Sequence, residues 1–221
     1  AVGLEEPIVL CRSNKRANIY NEGIRRRILY REDELNRGDL LMVVKNNYYW
    51  REQVGKVDKE LLEKLDFVAN GDIAEIMRVG GVEEMYGFRF ADVTLSFPDY
   101  DCEFDVKILL DTLMSESPSL TKSENERLFE AVWEDYAEIS AKRKRMEKLR
   151  EDPYYNAMQV KYGYAVTCHK AQGGQWRTVF LDQGYTPPEG VNNDYFRWLY
   201  TAFTRATEKL YLVNWPPQCI E

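Results

Sequence analysis

The sequence is poor in the residues that build metal and disulfide scaffolds. Its four cysteines, Cys11, Cys102, Cys168 and Cys219, form no C-x-x-C pair and share a single histidine, His169. That spacing excludes a zinc cluster and argues against a disulfide framework. Glycine and proline are scarce, 13 and 8 in 221 residues; with 44% hydrophobic and 13% aromatic residues, this excludes collagen-like, low-complexity and wholly disordered chains. No apolar run reaches the ~18 residues of a membrane span. Ala1 to Leu10 is too acidic, and too short in apolar length, for a signal peptide. We therefore expect a cytoplasmic protein without a membrane partner, made of one large domain or two small ones.

Thirty basic against 37 acidic side chains leave a net charge of -7, which speaks against indiscriminate nucleic-acid binding. The distribution is uneven. Arg12 to Arg31 holds seven Lys/Arg against Glu22, and Lys142 to Arg150 six against Glu147, whereas Asp92 to Glu116 holds seven acids and Lys107 alone. Basic faces could track a phosphate backbone on a molecule that is acidic overall; ordinary solvated helix faces account for the same pattern.

Ile8 to Cys11 is a short apolar run followed by Arg12, Ser13 and Asn14, then a stripe at Ala17, Tyr20, Ile24 and Ile28. This predicts a buried strand, an N-cap at Ser13 or Asn14, and an amphipathic helix with Arg25, Arg26 and Arg27 toward solvent or a partner. After Arg37-Gly38-Asp39 come β-rich runs at Leu40 to Val44, Ile73 to Val79, Tyr86 to Phe97 and Phe104 to Leu110. They are separated by Asn46-Asn47, Asn70-Gly71, Gly80-Gly81 and Pro98-Asp99, turn chemistry at the spacing of a small antiparallel barrel. Asp58 to Leu65 reads as a short helical insertion. Tyr48-Tyr49-Trp50 could stack bases if exposed, or pack the barrel. Ser123-Glu124-Asn125-Glu126 has a capping-box pattern, and the stripe Leu128, Val132, Tyr136 and Ile139 predicts one helix from about Glu124 to Arg150, ended by Pro153. Its basic end suits the helix macrodipole without any ligand.

The chain then returns to α/β grammar. Tyr162 to Thr167 and Thr178 to Asp182 read as strands. Asp194 to Thr207 reads as a helix with Phe196, Leu199, Phe203 and Ala206 inward, and Lys209 to Asn214 as a closing strand. With the first strand and helix they make one parallel-sheet domain, interrupted by the β insertion and the long helix. In such sheets active groups lie at the carboxyl ends of strands, which is where Arg12 and Thr167 fall; Arg205 would have to reach the same face.

Three clusters carry chemistry: Arg12; Thr167-Cys168-His169-Lys170-Ala171-Gln172-Gly173-Gly174-Gln175-Trp176; and Tyr200-Thr201-Ala202-Phe203-Thr204-Arg205-Ala206. Thr167, His169, Lys170 and the amides through Gly173-Gly174 offer donors in a tight turn opening a helix, suited to phosphate oxygens of either a DNA backbone or a nucleotide. Cys168 has no evident orienting acid, which argues against a thiol nucleophile.

These clusters resemble motifs IV, V and VI of superfamily 1 helicases, specifically the second RecA-like domain of the RecD-like (exodeoxyribonuclease V alpha-subunit-like) branch. Arg37-Gly38-Asp39 with Asn46-Asn47-Tyr48 and Asn70-Gly71-Asp72 resembles the SH3-like barrel inserted between motifs IV and V. The resemblance implies a RecA-like domain over 1–37 and 155–221 with helices on both faces of its sheet, an SH3-like β-barrel over 38–115, and a helical insertion over 116–154. It implies single-stranded DNA contacts from Thr167, His169, Lys170 and Gln172. ATP contacts would come from Arg12, Gly173, Gln175 and Arg205, with Arg205 and Arg12 as the catalytic cations near the γ-phosphate. Gln175 stands where the family has glutamate, so it keeps hydrogen bonding and loses charge.

No G-x-x-x-x-G-K-[ST] and no strand-ending Asp-Glu pair occur; Asp33-Glu34 lies in a polar loop. The sequence therefore reads as the C-terminal part of a longer ATPase, and the resemblance implies that the whole enzyme uses ATP and Mg2+ and moves 5′ to 3′ along single-stranded DNA. Its partner would be an N-terminal RecA-like domain of the same chain. Alone it should neither hydrolyse ATP nor hold a cofactor tightly, and no protein metal site is expected. The rival readings are a phosphate-transferring or nuclease domain of another kind, disfavoured by the lack of an acidic metal cluster, and a non-catalytic adaptor built on a dead RecA-like domain.

Overall fold

The computed structural model describes residues 7–55, 65–184 and 191–215. In chain order, and apart from short 3-10 turns, its elements are β1 (Ile8–Cys11), α1 (Asn14–Gly23) with a π-helical extension over Ile24–Ile28, β2 (Leu40–Val43), α2 (Tyr49–Gly55), β3 (Ile73–Met85), β4 (Phe88–Phe97), β5 (Cys102–Leu109), α3 (Lys122–Asp135), α4 (Lys142–Arg150), β6 (Met158–Tyr162), β7 (Ala165–Thr167), β8 (Trp176–Asp182), α5 (Asn193–Phe203) and β9 (Ala206–Val213). They form two compact units: Ala1–Glu34 with Tyr162–Glu221, and Leu35–Lys161. None of the described helices is long and apolar enough to cross a membrane. The helix expected over 58–65 falls on residues that, Leu65 apart, lie outside the described ones.

The first unit is a parallel sheet in the order β7-β1-β8-β9. Every residue of β1 is buried, as an apolar run between two parallel neighbours requires. Ser13 is the N-cap of α1, its hydroxyl accepting from the Arg16 amide at 3.2 Å. The predicted stripe holds at Ala17, Tyr20 and Ile24, which pack against Val9, Cys11 and Ala165, and fails at Ile28, which is 66% exposed; the polar Asn18, Asn21 and Arg25 turn inward as well. Edge strand β7 supplies the reason. Its free backbone groups need partners, and the Asn21 amide provides them, donating to the Ala165 carbonyl and accepting from the Ala165 amide, both at 2.8 Å.

Arg25 therefore corrects the expectation that all three arginines face outward. Its guanidinium lies 4.4 Å from the centre of the Tyr162 ring and donates to the Asp33 carbonyl at 2.6 Å. The Tyr162 hydroxyl in turn donates to the Glu34 carbonyl at 2.5 Å. Arg26 and Arg27 remain exposed.

The second unit holds a closed barrel, β2-β3-β4-β5-β6. Two features differ from the sequence reading. Gly80-Gly81 is not a turn: β3 runs through it with a register shift between Val79 and Val82, and the hairpin reverses at Tyr86-Gly87, both at positive φ. Gly80 serves a close approach instead, since a Cβ there would lie 2.9 Å from the Asp92 carbonyl oxygen on β4. Second, the parallel-sheet domain expected to resume at residue 155 resumes later, because Met158–Tyr162 pairs with β5 and completes the barrel. Tyr49 and Trp50 open α2 and are tied to carbonyls of Glu151 and Asn156, both at 3.0 Å, while Tyr48 is exposed and stacked on Phe67.

The single helix expected over 124–150 is broken in two. Thr121, not Ser123, makes the capping box with Glu124, and α3 stops at Asp135. Arg145, in α4, donates from Nε to the Trp133 carbonyl at 3.0 Å and lies 4.2 Å over the Trp133 ring, satisfying the end of α3 only because the chain has folded back. Leu149 then joins Leu128, Val132, Phe88 and Phe90 in one apolar cluster that straight helix geometry could not have gathered.

Candidate functional site

The parallel sheet brings Arg12 and the Thr167 turn together. Cys11 and Thr167 are register partners at the carboxyl ends of β1 and β7, and the Cys168 amide continues the ladder to the Cys11 carbonyl at 3.1 Å. Arg12 follows immediately and is exposed. Its guanidinium lies 5.5 Å from the ring centre of Tyr195 and 5.2 Å from that of Trp198, both on α5. These groups border an open cleft of about 600 Å³, lined also by Cys168, His169, Gln172, Asn192, Asp194, Arg197 and Thr201.

The turn itself is built from its own backbone. The amides of Lys170 and Ala171 donate to the Thr167 carbonyl, that of Gln172 to His169, and that of Gly174 to Ala171. These four amides are engaged within the turn instead of being offered to a phosphate, and the turn leads into β8 rather than opening a helix. Side chains face outward instead: His169, Gln172 and Gln175 are exposed, and Thr167 and Lys170 are half-buried. Burial lowers the Lys170 ammonium below the ordinary lysine range. Burial pushes the Cys168 thiol up to about 11, against a downward pull from Arg205, so it stays protonated at neutral pH. Gly173 sits at φ +91°, and a Cβ on Gly174 would lie 2.5 Å from the Trp176 ring.

Arg205 occupies a second place. The helix ends at Phe203 rather than Thr207, and Arg205 precedes β9, its carbonyl accepting from the Trp176 amide at 2.8 Å. Its guanidinium is half-buried and engaged: Nη1 donates to the Gly174 carbonyl at 2.9 Å, Nε to the Thr201 carbonyl at 3.1 Å, Nη2 to the Thr204 hydroxyl at 3.1 Å. Gln175 reaches toward the Thr204 carbonyl at 3.5 Å. The sequence candidates thus fall into two groups. Arg12, His169 and Gln172 line the cleft, with Thr167 and Lys170 in the same turn. Gly173, Gln175 and Arg205 lie where the turn is tied to the end of α5, and Arg205 is not among the cleft's lining residues.

The inward face of α5 also differs from expectation: Tyr195 and Ala202 are buried, Phe196 and Phe203 are exposed, and Ala206 belongs to β9. Sequence reasoning missed Tyr195 and Trp198, the aromatic floor beneath Arg12. Their three-residue spacing beside the N-cap Asn192 was the available signal. A cation over two aromatic faces, with Arg197 nearby and Asp194 the only lining acid among the described residues, can hold an anionic group beside a flat apolar one.

A comparison with curated proteins finds no match. Among solved structures, the Pif1 helicase from Candida albicans is 12% identical with a TM-score of 0.45, covering 95% of this chain and 45% of its own. The Pif1 helicase from Bacteroides, solved in complex with ADP-AlF3 and ssDNA, is 11% identical with a TM-score of 0.49, covering 97% of this chain and 42% of its own. The chain spans less than half the length of either. Residues 162–213, which contain the turn, β8, α5 and β9, match the UvrD-like helicase C-terminal domain.

Proposed function

We propose that this chain is the C-terminal portion of a superfamily 1 DNA helicase of the RecD-like branch, whose first unit is its second RecA-like domain and whose barrel is SH3-like. One observation carries the reading: the segment similar to the UvrD-like helicase C-terminal domain, 162–213, is the segment that lines the cleft with Arg12 and anchors Arg205. Thr167, His169, Lys170 and Gln172 contact single-stranded DNA. Arg12, Gly173, Gln175 and Arg205 face ATP bound mainly by a P-loop domain of the same protein. Arg205 neutralises charge developing on the transferred phosphoryl group, exchanging its bond to Gly174 for one to the γ-phosphate. Mg2+ does not fit this chain: no group of three metal-ligating side chains occurs among the described residues, and the ion belongs with the P-loop domain.

The internal engagement of all three donor nitrogens of Arg205 favours the alternative of a non-catalytic module. ATP turnover by the full-length protein, with and without oligo-dT, separates the two. DNA-stimulated turnover that falls roughly 10³-fold or more in Arg205→Ala supports the helicase. Turnover absent in the wild type, or unchanged in Arg205→Ala, refutes it. Unwinding of a 5′-tailed but not a 3′-tailed duplex tests the direction.

A further inference from the structure

Six of the nine residues of α4 are cationic and one, Glu147, is acidic, in a protein of net charge -7. Read as the end of one long helix, this run has an ordinary explanation, because a C-terminal dipole welcomes cations. The break before α4 removes that explanation for half of them. Lys142, Arg143 and Lys144 form the first turn of a separate helix, whose unsatisfied amides already carry partial positive charge. No acid lies in that turn, and its N-cap, Ala141, contributes no side-chain bond. The cations stand where the helix itself opposes them.

Neighbours offset only some of this charge. Arg143 pairs with Glu147 at 3.2 Å, Lys148 with Glu151 at 3.0 Å, and Arg145 turns inward onto Trp133. Lys142, Lys144 and Arg150 are exposed, and none has an acidic partner among the described residues. The exposed side of α4 consists of Lys142, Arg143, Lys144, Glu147, Lys148 and Arg150, with no aromatic on which a base could stack. Such a surface meets phosphates and reads no bases. Lacking the stacking platform of single-strand grooves, it suits a duplex. Nine helical residues span about 13 Å, roughly four base-pair steps of ~3.4 Å.

We propose that α4 is a sequence-independent contact for the sugar–phosphate backbone of duplex DNA, separate from the Thr167 turn. The choice of DNA over another polyanion rests on the helicase reading. The test is binding of a 20-base-pair duplex and of dT20 by the protein and by its Lys142→Gln/Lys144→Gln/Arg150→Gln variant, across a salt series starting near 50 mM. Each lost phosphate contact removes about 0.9 from the slope of log affinity against log salt on duplex. The slope should therefore drop by about 2 to 3, and low-salt duplex affinity by about tenfold or more, with dT20 binding nearly unchanged and thermal unfolding no lower.

An unchanged duplex slope, no duplex binding by the wild type, or a loss confined to dT20 or to polyglutamate each overturns the proposal. Thr167→Ala and His169→Ala, measured alongside, should weaken dT20 without altering the duplex slope. If they do so while the α4 variant behaves as wild type, the helicase reading stands and this one falls. The reverse pattern removes the Thr167-turn assignment and keeps α4.

Discussion

Arg205 donates from Nη1 to the carbonyl of Gly174, 31 residues earlier in the chain, across 2.9 Å. Without such a tie, the turn after β7 would be held to α5 mainly by backbone contacts at Trp176 and by the long thiol contact of Cys168 to the Trp198 carbonyl. Arg205→Ala leaves a half-buried carbonyl without its cationic donor, and we expect a loss of about 1 to 2 kcal/mol. The urea midpoint at pH 7 measures it. Arg205→Lys keeps the charge and loses the planar fork, so it should recover less than half. Equal midpoints for all three proteins would mean the guanidinium is free in solution.

Gly174 lacks a Cβ because the ring of Trp176 fills that space: three of its atoms would lie at 2.5, 3.0 and 3.1 Å. Trp176 is 7% exposed and begins β8, so it has little room to retreat. Gly174→Ala should cost about 1 to 3 kcal/mol by overpacking and should alter tryptophan fluorescence in the folded state. A variant with wild-type stability and spectrum would show that the ring swings aside.

Asp182, at the carboxyl end of β8, has a fully buried side chain, with Arg16 at 2.5 Å, Asn214 at 2.8 Å and the Gly184 amide at 3.2 Å. Burial alone would raise its carboxyl, but Arg16 and the two neutral donors outweigh it and hold the acid below the ordinary range. A carboxylate with a depressed native pKa contributes stability above its unfolded value of about 3.9, and that contribution is lost as pH falls through the native value. Arg16→Met removes the main counter-charge. It should cost about 2 to 3 kcal/mol at pH 7, below the full penalty for a broken buried pair because Arg16 is partly exposed. It should also move the acid-unfolding midpoint upward. An unmoved acid midpoint would show that Arg16 does not hold the carboxylate.

The first turn of α4 offers a gain rather than a loss. Ala141 already has the extended backbone of an N-cap, φ -77° and ψ 105°, and lacks only an accepting oxygen. Ala141→Ser should add about 1 kcal/mol, and Lys144→Glu about 0.3 to 1 kcal/mol through the dipole. Both are read as a raised urea midpoint of the second unit. Neutral or negative changes would mean that α4 is not an independent helix.

Some of this was legible in the sequence. Ile8–Cys11 could be placed in the parallel sheet because a continuous apolar run needs two neighbours, and four barrel strands could be located because Asn46-Asn47, Asn70-Gly71 and Pro98-Asp99 punctuate them, although Gly80-Gly81 falls inside β3 instead of ending it. What failed to show was decided by partners distant in sequence. Asn21 and Arg25 are buried because an edge strand and a loop carbonyl need donors, and no periodicity encodes that. The break between α3 and α4 depends on Arg145 finding the Trp133 carbonyl, although the apolar stripe runs on across the gap. Of the site, the residue types of the Thr167 turn were legible. The inward use of its amides and the aromatic floor under Arg12 were not, because both arise from how α5 and the turn pack.

Arg25 touches both places where the chain passes between the two units, the loop at Asp33 and the ring of Tyr162, whose hydroxyl bonds to Glu34. These bonds tie the first unit's two cut ends to one another. In engineering terms, that segment is a cassette. It could be lifted out and replaced by a short turn between Glu34 and Tyr162, leaving the Arg12 cleft on a continuous sheet, because loop closure there has already been settled by one guanidinium and one phenol.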